Sequence, residues 1–198
     1  MSLPSVVLAS ASPRRRELLT LVGIPHVVDP ADVDESVIPH ERADVYVERL
    51  ARAKAAVVAA RHSGAVIIAA DTTVVHHDEI LGKPESVRDA EAMIARLAGH
   101  THEVYTGMAV AYAGRVAGAF ERVEVTFRDL TAQEIAAYVA TGEPMDKAGA
   151  YGIQGFGATI VERIHGDYFS VMGLGLRRVV ALLEEVGVRY QFGGGVTR

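Results

Sequence analysis

The chain has no cysteine and no tryptophan, and its aromatic content is only 6%. Without cysteine it can form no disulfide, no thiolate nucleophile and no cysteine-bound zinc site. A reducing compartment suits such a chain, and we expect a cytoplasmic protein.

Basic residues are outnumbered: 20 Lys and Arg stand against 25 Asp and Glu, which gives a formal net charge of -5. Most of the affinity of a protein for DNA or RNA comes from basic residues that displace counterions. We therefore expect no nucleic-acid polymer as a partner. A small anionic ligand in a locally positive pocket is compatible with this composition.

Long apolar runs are also missing. No stretch approaches the ~20 residues that span a bilayer, and no basic segment followed by a long apolar core marks a signal peptide. We expect a soluble protein with no membrane partner. Two phosphate-binding motifs are absent as well: there is no G-x-x-x-x-G-K-[ST] loop, and Gly173-x-Gly175 lacks the third glycine of a dinucleotide fingerprint.

The hydrophobic share of 49% is that of a folded chain, and 198 residues suffice for one substantial domain. Apolar runs that suit strands alternate with segments of helical periodicity, and two β-rich stretches flank Ala113-Gly114 as a hairpin. The pattern predicts an α/β fold with a mixed sheet flanked by helices. We expect a single domain over residues 1–198, with residues 193–198 frayed.

Three arginines stand where a helix should begin. In SASPRRRELL, Ser12 suits the cap and Pro13 the first helical position, yet Arg14, Arg15 and Arg16 follow, where the helix dipole is already positive. Either these side chains extend into solvent at a small cost, or the turn and its guanidinium groups bind a polyanion such as a phosphate chain.

Two further charges interrupt apolar patterns. Lys54 shares a helical stripe with Val47, Leu50 and Val57, so it either reaches water from the margin or approaches a phosphate while buried. Asp71 directly follows the apolar run of residues 65–70, which predicts a carboxylate at the carboxyl end of a strand, where α/β sheets place ligands. Such a carboxylate needs a metal, a cation or a proton to exchange.

Neighbouring His76 and His77 are expected to point to opposite faces of an extended segment, and we interpret them as surface residues. Lys147 either pairs with Asp146 or faces a phosphate; the sequence leaves both open.

Several ordered motifs closely resemble the Maf proteins, a family of nucleoside triphosphate pyrophosphatases. The resemblance runs from about Val6 to the final helix. The motifs are SASPRRRELL, the Asp34-Glu35 pair, LARAKA around Lys54, AADTTVV, LGKP and EPMDKAGAYGIQGFGA. It implies an elongated mixed α/β fold like that of the inosine triphosphate pyrophosphatases, usually found as a homodimer. It also implies cleavage between the α- and β-phosphates of a nucleotide in the presence of a divalent cation.

The resemblance assigns roles to residues at matching positions. Asp71 matches the catalytic acid–base position, and Arg14, Thr72 and Gln154 match positions that set the choice of nucleobase. The spellings DTT and GIQG resemble the branch that acts on dTTP and UTP, whereas a sister branch acts on 7-methyl-GTP. One departure is Gly175, which stands where the family commonly has proline and could loosen the entry to the last helix.

These residues support a mechanism. Arg14, Arg15, Lys54 and Lys83 can supply cations to a triphosphate, and Glu35 and Asp71 can hold Mg²⁺ or Mn²⁺. Ser10 and Ser12 offer hydroxyls beside the first turn. Asp71 would activate the attacking water, and Gln154, which can both donate and accept, would recognise the imide edge of thymine or uracil.

Three alternatives remain beside a dTTP/UTP pyrophosphatase. The chain could act on 7-methyl-GTP, it could be a non-catalytic regulator of septum formation, or it could be a phosphatase that releases orthophosphate. Release of pyrophosphate or of orthophosphate separates a pyrophosphatase from a phosphatase, and a panel of nucleotides separates the possible substrates.

Overall fold

The computed structural model describes residues 4–193 and 195–198. Strands and helices alternate along most of the chain, so the predicted mixed α/β class is confirmed. The strands are β1 (Val6–Leu8), β2 (Val27–Val28), β3 (Val66–His76), β4 (Glu79–Leu81), β5 (Thr101–Tyr112), β6 (Arg115–Phe127), β7 (Val161–His165), β8 (Arg189–Gln191) and β9 (Gly195–Thr197). The α-helices are α1 (Pro13–Leu21), α2 (Ala43–Ala59), α3 (Val87–Leu97), α4 (Ala132–Ala140), α5 (Tyr168–Val171) and α6 (Leu176–Glu185). Three short 3₁₀ helices follow α4, at Glu143–Asp146, Ala148–Ala150 and Gly155–Thr159. Across the described part of the chain, no helix combines the length and apolarity needed to cross a membrane.

Seven strands form one mixed sheet in the order β2-β1-β3-β5-β6-β7, with β4 paired to β3. β1 runs parallel to both β2 and β3, whereas β4 and β7 run antiparallel to their neighbours. The hairpin predicted at Ala113-Gly114 is present, because both turn residues adopt positive φ angles (49° and 79°) that fit a two-residue turn.

The chain divides into two compact units, and β3, β5 and β6 each contribute residues to both. The first unit contains the described residues up to Asp71 together with 106–121 and 173–198. Its core packs α2 on the sheet mainly through alanines, which allow close approach. At Gly107 a Cβ atom would lie 2.2 Å from the carbonyl oxygen of Val47, so only glycine fits beneath this helix.

The second unit contains residues 72–105 and 122–172. Its core joins α3 and α4 to the strands through a larger set of side chains, including Ile94, Leu97, Phe127 and Tyr138. A capping box begins α4, since Thr131 and Glu134 bond to each other's backbone N–H groups.

The surface interpretation of His76 is wrong. His76 ends β3 and is buried, and its ring stacks on that of His77 with 4.0 Å between centroids. The strand alternation stops there because His77 and Asp78 turn the chain at positive φ angles of 49° and 63°. The two rings therefore do not lie on opposite faces.

The C-terminal end differs from the frayed segment that we expected. β9 pairs antiparallel with β8, and Val196 is buried. Gly194, within the same expected segment, lies outside the described residues. β8 and β9 pair over only three residues. The strand forms because the Val196 side chain is packed in the interior.

Gly175, which the resemblance marks as a departure from proline, has a φ of -68°, an angle that proline would also adopt. Its N–H donates to the Sδ atom of Met108 over 3.2 Å, a bond that proline could not make. α6 begins at the next residue, as the sequence predicts.

Candidate active site

Asp71 lies in the interior of β3, which corrects the prediction that it ends a strand. The parallel pairing of β1 with β3 ends at Leu8 and Ile68, and the N–H of Ala9 makes one more bond to Ile68. β3 continues for several residues beyond that point, because its later part pairs with β4. The carboxylate is buried and lies just past the carboxyl end of β1, the neighbouring parallel strand.

Lys54 of α2 is the cation that compensates Asp71. Its Nζ atom is 2.6 Å from Asp71 Oδ1 and 2.6 Å from Glu35 Oε1. The Lys54 and Asp71 side chains are 9% and 11% exposed, whereas Glu35 is 54% exposed. Lys54 is buried and does not reach water from the margin of the stripe, while its approach to a phosphate stays a prediction. Val57 of the predicted stripe faces outward.

The same helix holds the segment that carries Glu35. The hydroxyl of Tyr46 donates to the Glu35 carbonyl over 2.9 Å, and Arg49 donates to the Ser36 carbonyl over 3.1 Å and to the Glu41 carboxylate. Burial, together with the charges of Asp71 and Glu35, raises the pKa of Tyr46 to about 12. The phenol therefore stays protonated and remains a donor at neutral pH.

Arg15 is engaged with backbone beside the site. Its guanidinium donates to the carbonyls of Ala70 (2.7 Å) and Gly173 (2.8 Å) and to Ser10 Oγ (2.9 Å). Burial lowers the pKa of Arg15, and the nearby charge of Asp71 opposes that shift. These contacts fix the residue that precedes Asp71, while contact of Arg15 with a triphosphate stays a prediction.

The rest of the arginine turn is more open. Ser12 starts α1 without a side-chain capping bond, and its N–H donates to Ser10 Oγ over 3.2 Å. Arg14 is half-buried and Arg16 is exposed. Ser10 is buried, so its hydroxyl serves the turn and Arg15 in this arrangement.

The two carboxylates beside Lys54 suit a divalent cation that takes its other ligands from the substrate and from water. Glu35 Oε1 and Asp71 Oδ1 both lie 2.6 Å from Lys54 Nζ, so the two carboxylates are close together, and hard oxygen ligands are those that Mg²⁺ and Mn²⁺ prefer. No cluster of three or more metal-binding side chains occurs among residues 4–193 and 195–198. Mg²⁺ commonly binds one or two carboxylates and takes its remaining ligands from phosphates and water, so two carboxylates fit that pattern.

The other predicted residues belong to the second unit. Thr72 is half-buried and, by strand alternation, points to the face opposite Asp71. Lys83 is exposed in the turn after β4, where the carbonyl of Gly82 accepts from the N–H of Gly149 over 3.0 Å. Lys147 pairs with Asp146 over 2.5 Å and donates to the Glu143 carbonyl, while its contact with a phosphate stays untested.

Gln154 is exposed on a loop whose conformation was not predicted from the sequence. It directly precedes the 3₁₀ helix Gly155–Thr159, and its side chain makes no capping bond there. Glu143 binds the backbone of that helix instead, a contact that was not predicted from the sequence. In the sequence, the only feature that points to Glu143 is an acidic residue that follows a helix within a glycine-rich segment.

A mixed α/β fold that buries a lysine against the Asp71 carboxylate, with Glu35 beside it, has the features of an enzyme site. The chain belongs to the Maf family, since the family model described as Maf-like protein matches residues 5–186.

Similar proteins carry the name dTTP/UTP pyrophosphatase. The one from Moorella thermoacetica is 54% identical over 185 residues, which cover 92% of this chain and 95% of that protein. The one from Myxococcus xanthus is 53% identical over 92% of this chain and 93% of that protein. The one from Symbiobacterium thermophilum is 47% identical over 96% and 97%.

Among solved structures, the Staphylococcus aureus Ham1 protein is similar at 16% identity, with a TM-score of 0.47 over 79% of each chain. A likeness this distant carries no argument about the site.

Proposed function

We propose that this protein hydrolyses dTTP and UTP to the nucleoside monophosphate and pyrophosphate. The observation that carries the proposal is the buried ammonium of Lys54, 2.6 Å from both the Asp71 and the Glu35 carboxylates. The names of relatives that are 47–54% identical over almost the whole chain support this substrate class.

Asp71 is the general base in this mechanism. Its carboxylate accepts a proton from a water molecule as the water oxygen forms a bond to the α-phosphorus. The bond between the α-phosphorus and the bridging oxygen breaks, and pyrophosphate leaves with that bond's electron pair. The Lys54 ammonium lies 2.6 Å from this carboxylate and pairs with its charge.

Cations share the charge of the substrate. Lys54, Arg14 and Lys83 stabilise the phosphate oxygens, and Arg15 holds the backbone at Ala70. Glu35 and Asp71 are the residues that would hold Mg²⁺ or Mn²⁺. The ion, when bound, neutralises charge on the non-bridging oxygens.

Base choice rests on hydrogen bonding. The imide edge of thymine and uracil presents carbonyl acceptors beside an N–H donor, and the Gln154 amide can both donate and accept. A site built on such bonds disfavours bases that leave a polar group unpaired. Arg14 and Thr72 act with Gln154 in this selection.

The assembly and compartment belong to the same proposal. The motifs shared with Maf proteins support a homodimer, and the absence of cysteine suits the cytoplasm. Light scattering coupled to size exclusion would give twice the chain mass of 21.1 kDa for a homodimer.

The test is a nucleotide panel with product analysis. Purified protein, freed of contaminating pyrophosphatase, is supplied with dTTP, UTP, dCTP, dATP and 7-methyl-GTP in Mg²⁺ or Mn²⁺. We expect one pyrophosphate for each dTTP or UTP consumed. Orthophosphate as the product, a preference for 7-methyl-GTP, or no turnover of any nucleotide would each overturn the proposal.

A further inference from the structure

The Glu143 carboxylate accepts three hydrogen bonds, two of them from the loop that carries Gln154. Its Oε1 atom accepts from the hydroxyl of Tyr138 (2.9 Å) and from the N–H of Gly157 (3.0 Å), and its Oε2 atom accepts from the N–H of Phe156 (2.8 Å). The first N–H groups of a helix have no partner within the helix. Glu143 therefore supplies the cap that Gln154, in the N-cap position, does not provide.

Glycines bring the backbone close around this carboxylate. Gly155 has a φ of 63°, and a Cβ atom there would lie 2.4 Å from Glu143 Oε2. A Cβ atom on Gly157 would lie 1.9 Å from the carbonyl oxygen of Gly152. The loop thus folds back on itself with no space for a side chain at either position.

The residues on the other side of Gln154 are anchored as well. The N–H of Gly152 donates to the Tyr138 hydroxyl over 3.3 Å, so this hydroxyl joins Glu143 to the residues that precede Gln154. Tyr151 is buried, and its hydroxyl bonds to His102 Nε2 over 2.8 Å. Gln154 is therefore an exposed side chain on a backbone fixed at both ends.

We propose that Glu143 is a positioning residue for nucleobase selection, which fixes through Phe156, Gly157 and Tyr138 the loop that presents Gln154. This inference rests on the proposed function, in which Gln154 reads the base. Glu143 does not touch the substrate in this role. It acts by limiting the positions that the Gln154 amide can occupy.

A carboxylate is required because three donors converge on it. In Glu143→Gln the amide oxygen can occupy the Oε1 position and accept from Tyr138 and Gly157. The amide NH₂ then faces the N–H of Phe156, two donors with no acceptor between them. The loop must shift at Phe156, two residues from Gln154.

The experiment compares Glu143→Gln with a matched control, Glu134→Gln. Glu134 also caps a backbone N–H through its carboxylate, at the start of α4, and neither residue is part of the proposed catalytic set. For each variant, kcat and KM are measured with dTTP and dCTP, alone and combined with Gln154→Ala. Thermal unfolding reports the stability of every variant.

We expect Glu143→Gln to lower the dTTP:dCTP ratio of kcat/KM roughly tenfold, the scale of one misplaced hydrogen-bonding group. The change should appear mainly in KM for dTTP, with kcat within about twofold. In the Gln154→Ala background, Glu143→Gln should change the dTTP:dCTP ratio by less than about twofold, because both residues act through the contact of Gln154 with the base. Glu134→Gln should leave the ratio unchanged whatever its Tm.

Unchanged selectivity in folded Glu143→Gln overturns the inference, as does a loss that is equal for both nucleotides or that adds fully to Gln154→Ala. If Glu143→Gln does not fold, Tyr138→Phe removes only the bridging hydroxyl and should lower the ratio about threefold; no change then overturns the inference. A wild-type protein that releases no pyrophosphate defeats the proposed function itself, and the inference with it. A selective wild-type protein with an equally selective Glu143→Gln defeats the inference alone.

Discussion

The two candidate functional regions of this chain are held in place by different forces. In the first unit, the charged cluster of Glu35, Lys54 and Asp71 unites side chains from three separate segments, and burial of Lys54 and Asp71 requires that their charges be paired. In the second unit, Glu143 binds backbone N–H groups only 13 and 14 residues away. Chemistry in the cluster should therefore depend on charge, and selectivity on backbone geometry.

The largest effect is expected from Asp71→Asn, which removes the base and keeps the side-chain shape. The amide cannot take a proton from water, so we expect kcat for dTTP to fall at least ~100-fold, the scale of a lost general base. Binding of dTTP should persist, because the cations that we propose as phosphate contacts remain. Single-turnover kinetics and calorimetric titration with dTTP measure the two quantities. Near-normal turnover would remove Asp71 from the mechanism.

Gln154→Ala tests the other region, with a smaller effect of another kind. The loop backbone keeps its Glu143 contacts, since the Gln154 side chain makes no capping bond. We expect the dTTP:dCTP ratio of kcat/KM to fall roughly tenfold while kcat for dTTP changes by about threefold or less. The nucleotide panel measures both. Selectivity equal to that of the wild type would exclude Gln154 from the choice of nucleobase.

Much of the fold could be predicted from local sequence. The hairpin at Ala113-Gly114, the Ser86 cap of α3 and the capping box of Thr131 are local signals, and the structure contains all three. The position of Asp71 within β3 could not be predicted, because the end of a strand depends on its partners. β1 stops at Leu8, whereas β4 pairs with the later part of β3.

The charged cluster was easier to predict than the loop. A lysine on an apolar stripe and a carboxylate after an apolar strand each require compensation, so their pairing follows from the cost of buried charge. Glu143 breaks no local pattern, because an acid near a helix end is ordinary. Its contacts with the loop form only in the folded chain, where the backbone at the glycines 12 and 14 residues later lies close to its carboxylate.

Acidification should weaken the second unit through His102, which anchors Tyr151. Burial lowers the pKa of His102 from 6.5 to about 3. Between these values the unfolded chain binds a proton that the folded chain does not, so the free energy of unfolding falls as pH drops below 6.5. We expect His102 to account for about 1 kcal/mol of loss between pH 6.5 and 5.5.

Urea unfolding of wild type and His102→Gln at both pH values measures this contribution. The glutamine amide can still bond the Tyr151 hydroxyl but does not titrate, so its free energy of unfolding should fall about 1 kcal/mol less. His76, whose pKa is also lowered by burial, is present in both proteins and cancels in the difference. Parallel pH curves for the two proteins would show that His102 titrates normally in the fold.

The smallest effect is expected at the contact that holds Glu35 over Lys54. Tyr46→Phe removes a hydroxyl that donates to the Glu35 carbonyl over 2.9 Å, without altering any charge. We expect the free energy of unfolding to fall by about 0.5–1 kcal/mol. We also expect a roughly threefold lower kcat/KM for dTTP, because Glu35 is then less fixed beside the ammonium. Tyr105→Phe is the matched control: its hydroxyl binds Glu103 in the second unit, so activity should not change. If Tyr46→Phe retains full activity while losing stability, the ion pair with Lys54 alone keeps Glu35 in place. The Tyr46 hydrogen bond then contributes to stability and not to activity.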